Sequence, residues 1–382
     1  MKQVIKADKF FLKNRETEAG YLIIRDGLFD IFCEREPEKY DQLLDYTGYW
    51  IGPGLVDTHI HGYNGNDIMD NNANGFKQMS VDLLSCGVTS FLPTTLTSSI
   101  ESLNEVVQTI GEHINEVEGA KAKGIFLEGP FFTEKHKGAQ NPGYFMDPSI
   151  DILKKWQELS QNTIVKIAIA PEREGTKAFI EYAASQQIKV AIAHTDATYE
   201  IATEAVKTGA SIFTHTFNGM NGLHHREPGA VGAAMTVPNA YAEIICDGNH
   251  VHPVAANILM NQRGRDETIL ISDCMMAGGK PDGQYMLGEF EVFVEDGMAK
   301  IDTGSLAGSI LKLKDAVKNV VDWGIATPAE AIKMASQIPC ESIGLSDCGY
   351  IEKGIAADFI VLDKELDLQA TFVNGVRRYV RE

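Results

Sequence analysis

Through the middle of the chain, uninterrupted apolar runs take turns with stretches in which apolar residues recur every three or four positions. The first pattern suits a strand of a parallel sheet, which helices cover on both faces; the second suits an amphipathic helix. The strand-like runs are Gly54 to His61, Val88 to Thr94, Gly124 to Glu128, Val165 to Ala170, Lys189 to His194, Ser211 to His215, Glu243 to Asp247 and Thr268 to Asp273. Helical stretches fit between most of them, as at Ile100 to Val117, Ser149 to Leu159, Thr176 to Ser185, Tyr199 to Thr208 and Pro253 to Arg263. Eight strand-helix units predict an α/β fold, a TIM-like (β/α)8 barrel rather than an open sheet.

The two ends of the chain carry a different pattern. Short alternating runs with charged turns, such as Tyr21 to Gly27, Asp358 to Asp363 and Ala370 to Gly375, read as antiparallel strands. They predict one small β-sandwich domain built from residues 1–50 plus 346–382, with the barrel as the intervening residues 51–345. A further β-like insertion near residues 284–303 follows the eighth strand, with Asp296-Gly297 as its hairpin turn.

The chain's 382 residues suit a barrel of about 250 residues plus such a small domain. Thirty-four basic against 53 acidic side chains give a net charge of -19. That field repels polyanions, so neither nucleic acid nor an anionic membrane is expected as a partner, although local Arg, His and backbone N–H groups suffice to hold one phosphate. The six cysteines form no C-x-x-C pair and read as reduced thiols. Neither a signal-peptide pattern at the start nor a run of about 18 apolar residues is seen, which points to the cytoplasm.

Chemistry gathers where the strands end, which in such barrels is the active-site face. His59 and His61 end the first strand, Glu128 the third, His194 the fifth, His215 the sixth and Asp273 the eighth. Residues i and i+2 of a strand share a side, so His59 and His61 aim at one point. A strand-end carboxylate is often only a helix cap, but chance does not readily put all of these at equivalent places. Nitrogen and oxygen donors without thiolate suit a catalytic Zn²⁺, Fe²⁺, Mn²⁺ or Co²⁺. Glu128, His194 and His215 make one three-ligand site; His59 and His61 complete a second, with Glu128 as bridge. Asp273 is then placed to take a proton from a metal-activated water and pass it to a leaving amine.

The opening Pro53 to His61, the strand-end His194 and His215, and Ser272-Asp273 resemble the amidohydrolase superfamily. Within it, Leu127 to Phe131, Thr214 to Met220, His225 to Gly229, Asp247 to Pro253 and Ser305 to Ser309 resemble the N-acetylglucosamine-6-phosphate deacetylase family over essentially the whole chain. The resemblance implies hydrolysis of an acetamido group on an amino-sugar phosphate, one or two divalent ions per subunit, metal ligation by Glu128, His194 and His215, and Asp273 as the acid/base. It also implies that His250 contacts the sugar or polarises the amide carbonyl. Asn218 and the Gly219 backbone would meet the phosphate, with Arg226 reaching it from the other subunit of a homodimer. The small phosphorylated amino sugar is then the partner, and His224, His225 and Arg226 form a compact basic cluster suited to it.

Two departures from the family pattern stand out. In Gly138-Ala139-Gln140-Asn141-Pro142, whose Ala139 and Gln140 fall among the substrate-binding positions, Gln140 replaces a histidine of many relatives; it can donate a hydrogen bond but never becomes cationic. Members also differ at the first strand, where this chain keeps both histidines. Other amidohydrolases, such as a galactosamine-epimer deacetylase, a deaminase or a cyclic amidase, are the alternative. Cyclic amidases usually place a carboxylated lysine at a strand end, whereas this chain offers Glu128. Cys274 reads as a packing residue and His113, His136 and His252 as structural or surface ones.

Overall fold

A computed structural model describes residues 1–382. The eight expected strands all form: β1 (Leu55–Ile60), β2 (Val88–Thr95), β3 (Ile125–Glu128), β4 (Ile164–Ile169), β5 (Lys189–Ile192), β6 (Ala210–Phe213), β7 (Tyr241–Ile245) and β8 (Thr268–Ile271). Each pairs in parallel with the next, from β1 to β8. Their residues are buried almost throughout because side chains fill the barrel on one face and meet helices on the other. Helix Ile100–His113 shows how: Leu103, Val106, Val107 and Ile110 lie on one stripe and are buried, and Ser99 caps its first turn by accepting from Ser102 N–H at 3.1 Å.

The barrel closes differently from the way it propagates. Strands β8 and β1 share no regular ladder, and they meet at the mouth. There Asp273 N–H donates to His59 O and His61 N–H to Cys274 O, both at 2.9 Å. Lower down, Val56 N–H turns instead to Ala335 O at 2.8 Å, so the helical segments Pro328–Met334 and Gln337–Ile343 plug the remaining gap.

The chain ends fold together into one mixed sheet in the order 376–380, 368–373, 359–362, 42–53, 2–12, 20–25 and 28–33, with 15–17 on its flank. The sandwich is this single sheet curled over itself: Phe29 N–H donates to Ile355 O at 2.8 Å, and Phe29 packs against Phe359, which stacks on Phe372 at 4.2 Å. Its strand Gln42–Pro53 runs straight into β1 through Gly54, where a Cβ would sit 2.0 Å from Thr89 Oγ1, so no larger residue fits that junction.

The insertion after β8 is a three-stranded antiparallel sheet, Gly283–Leu287, Phe290–Glu295 and Met298–Lys300, with both Asp296 and Gly297 at positive φ as its tight turn requires. Its apolar face, including Leu287, Val292 and Val294, packs on Leu96, Ala139 and Met275 and roofs the barrel mouth.

Candidate active site at the barrel mouth

His59 and Glu128 lie within β1 and β3, and His61 directly follows β1, so the sheet itself aims them. His194, His215 and Asp273 each sit two residues past the end of their strand, with φ of 42°, 31° and 49°. Left-handed backbone is uncommon for residues other than glycine, and here it turns three side chains over the mouth. Gly219 fits the same crowding, since a Cβ there would lie 2.9 Å from His194 Nδ1.

Glu128 is the hub. Its Oε1 lies 3.1 Å from His215 Nε2, 3.4 Å from His194 Nε2 and 3.5 Å from His59 Nε2, while Oε2 lies 3.2 Å from His61 Nε2. Asp273 Oδ1 lies 3.2 Å from His61 Nε2 and 3.3 Å from His59 Nε2. Two compact donor groups result, His59/His61/Glu128 and Glu128/His194/His215, all buried and sharing one carboxylate.

These donors fit divalent metal. Three of the histidines have Nδ1 at a backbone carbonyl: His61 at Thr94 O (3.2 Å), His194 at His136 O (2.9 Å) and His215 at Asn218 O (3.1 Å). A carbonyl accepts only, so Nδ1 carries the proton and the Nε2 lone pair faces the shared space. The electrostatics agree. Burial would raise the Glu128 carboxyl, but the facing histidines hold it well below the usual range. Burial likewise opposes the outcome at Asp273, whose neighbours His59 and His61 pull it down to about 2. The two carboxylates in turn overcome burial at His59 and drive its pKa up to about 9, and they drive His61 well above its ordinary value. A donor set that draws protons onto its own histidines is one that a cation would neutralise.

Above these groups lies a cavity of about 330 Å³, a size suited to a small molecule. Ala139, Gln140, Asn218, Gly219 and His250 line it, as do Leu287, Ser305 and Leu306 from the roof and the segment behind it. His250 is held by Asp247, with Nδ1 2.7 Å from Oδ2 and N–H donating to Oδ1 at 2.8 Å. Burial works against the Asp247 carboxylate, and His250 outweighs it to hold that pKa low. Arg226 lies outside the cavity, on an exposed loop of the same chain, with Nη1 2.7 Å from His225 Nε2.

Residues 50–380 match the amidohydrolase family. The chain belongs to that family. Among its relatives, the N-acetylglucosamine-6-phosphate deacetylase of Vibrio furnissii is 39% identical over 95% of this chain and 91% of its own length. The N-acetylgalactosamine-6-phosphate deacetylase of Escherichia coli O157:H7 is 38% identical over 98% of this chain and 99% of its own. Among solved structures, a mutant N-acetyl-D-glucosamine-6-phosphate deacetylase from Mycobacterium smegmatis, in complex with N-acetyl-D-glucosamine-6-phosphate, superposes with a TM-score of 0.94 at 27% identity, covering 99% of this chain and 100% of that one.

Several residues that shape the site escape a reading by strand ends. Lys166 and Glu243 face each other across the barrel beneath the metal groups, both with no exposed surface. Each interrupts an apolar strand, Val165-Lys166-Ile167 and Ala242-Glu243-Ile244, and that lone charge is the signal. Lys166 is thus paired in the core rather than presented at the mouth, unlike the lysine of a cyclic amidase. Cys274 is fully buried, and burial together with Cys86 and nearby carboxylates pushes its thiol well up, as befits packing. His252 caps helix Pro253–Arg263, and His113 pairs with Glu116 near the surface.

Proposed function

We propose that this chain hydrolyses the 2-acetamido group of N-acetylglucosamine 6-phosphate to glucosamine 6-phosphate and acetate. The observation that carries the reading is the convergence of Glu128, His194, His215 and Asp273 on one sugar-sized cavity, in a chain that matches the Vibrio deacetylase nearly end to end. Glu128, His194 and His215 would hold one Zn²⁺, Fe²⁺, Mn²⁺ or Co²⁺, and His59 and His61 together with Glu128 would accommodate a second. The ion supplies Lewis acidity and a nucleophilic water at neutral pH. Asp273, ionised at any neutral pH, accepts the proton as water adds to the amide carbon. It returns that proton to the nitrogen as the C–N bond breaks, so acetate and a free amine leave.

His250, oriented by Asp247, donates to the carbonyl oxygen or to a sugar hydroxyl, while Ala139 and Gln140 contact the substrate from the cavity wall. Asn218 and the Gly219 N–H, which has no acceptor within the chain, meet the phosphate. Arg226, exposed and away from its own chain's cavity, completes that phosphate site in a partner copy; a homodimer is therefore part of the reading. We further take the protein to be cytoplasmic: all six cysteines are free, and no helix is long and apolar enough to cross a membrane.

The Escherichia coli relative gives the galactosamine epimer a specific claim as second substrate. Acetate release from both phosphorylated sugars by the purified protein, with and without chelator, tests the reading. Release from the glucosamine form that chelator stops is the expected result. No acetate from either sugar overturns it.

A further inference from the structure

His59 stands apart from the other three histidines. Their Nδ1 atoms lie at backbone carbonyls, whereas the group nearest His59 Nδ1 is a carboxylate, Glu243 Oε2, at 3.6 Å. Both atoms are buried, and neither has another partner. They face each other as an orphan donor and an orphan acceptor, a few tenths of an ångström from a hydrogen bond.

The carboxylate is held from behind. Its Oε1 accepts from Lys166 Nζ and, at 3.4 Å, from Thr58 Oγ1. Lys166 Nζ also donates to Thr58 O at 3.4 Å and lies 3.8 Å from the centre of the Phe126 ring, against which His59 packs at nearly a right angle. Apolar residues of equal volume would serve the core's stability as well as such an ion pair, so its location calls for another purpose.

We propose that Glu243, clamped by Lys166, is a positioning residue for His59. It accepts a hydrogen bond from Nδ1–H, fixes the ring so that Nε2 faces Glu128 and Asp273, and strengthens His59 as a donor to the His59/His61/Glu128 group. This rests on the reading of the mouth as a metal centre. Lys166 keeps the carboxylate ionised in a dry core and balances its charge. The group containing His59 therefore differs from the Glu128/His194/His215 group in what stands behind its histidines: a carboxylate behind His59 beside a carbonyl behind His61 in one, backbone carbonyls alone in the other.

The double variant Lys166→Met, Glu243→Gln removes both charges at nearly constant volume and leaves no unpaired ion in the core. Zinc titration of the metal-free protein against a chromophoric chelator is expected to show affinity at the His59-containing group reduced roughly 10- to 100-fold, with the other group and the circular dichroism spectrum unchanged. In a His59→Asn background the same double change is expected to have no further effect on zinc affinity. Unchanged affinity in the first background, or an equal loss in the second, overturns the proposal. Should the double variant not fold, Glu243→Asp with Lys166 intact carries the same comparison, with a smaller loss expected. If the wild-type chain binds no zinc, the metal-centre reading falls on its own. The positioning role is then read from a solvent-protected Nδ1 proton on ¹⁵N-labelled His59, present in the wild type and lost in the double variant; its absence from the wild type overturns the role.

Discussion

Gln140 joins Glu128 to the backbone of β2's trailing loop: Nε2 donates to Glu128 Oε2 at 2.8 Å, and Oε1 accepts from Thr97 N–H at 3.0 Å. An amide engaged at both ends cannot turn without breaking two buried hydrogen bonds. It therefore sets the plane of the carboxylate, with Oε1 toward His194 and His215 and Oε2 toward His61. Gln140→Ala is expected to lower metal affinity by about 10-fold or more, measured as metal retained after dialysis against a weak chelator. Full retention would mean that the carboxylate keeps its orientation unaided.

Asp273→Asn removes the proton carrier but no member of the Glu128/His194/His215 group. Turnover is expected to fall by on the order of 10³-fold or more, while the metal at that group and the thermal transition stay near wild type. Steady-state kinetics with metal analysis on the same sample checks both halves. Wild-type kcat would remove Asp273 from the acid/base role.

Arg226→Ala is expected to raise KM about 10-fold or more for the phosphorylated sugar and to leave the unphosphorylated sugar unaffected, since a bidentate phosphate contact is worth more than about 1.4 kcal/mol. If the residue acts across a dimer, mixing inactive Asp273→Asn chains with Arg226→Ala chains will restore activity in the hybrids. An absence of restoration under conditions of subunit exchange would return Arg226 to its own chain.

Metal binding is expected to release protons. With its pKa raised to about 9, His59 is protonated at pH 7.5 in the metal-free chain and must become neutral to bind an ion. Affinity should therefore rise with pH up to about 9. Calorimetric titrations in two buffers of different ionisation enthalpy measure the protons released, and zero release would contradict the charge balance described above.

Asp67 is buried with Oδ2 unpartnered, and burial drives its pKa up to about 7. The folded state then holds a proton that the unfolded state has lost, so stability from this group is fully present below about pH 4 and declines as pH rises toward 7. Asp67→Asn keeps the acceptor for Met69 N–H and removes the ionisation. Its advantage over wild type should grow across that window, on the order of 3 kcal/mol by pH 7. Chemical denaturation at pH 4.5 and 7.5 checks the slope, and a constant difference between the two proteins would exclude this group as its source.

The barrel was legible because parallel strands covered on both faces read as plain apolar runs, and the ligands because they stand where those runs stop. Helix Gly229–Thr236 was less so: buried on almost every side, it shows no polar face and hence no helical period. The left-handed turns at His194, His215 and Asp273 leave no trace in composition. Nor does a contact such as Lys166 with Glu243, 77 residues apart, since nothing local marks which lone charge meets which across a lumen.

The main-chain hydrogen bonds that join the β1 and β8 ends fall at the mouth, through His59, His61, Gly62, Asp273 and Cys274. Zipping the barrel shut and assembling the catalytic apparatus are therefore one event. A chain still being synthesised holds no partial activity until residues beyond Cys274 have emerged. When a finished molecule breathes at this seam, ligands and base part company together, so turnover is a gauge of closure that should fail on warming before the helices do.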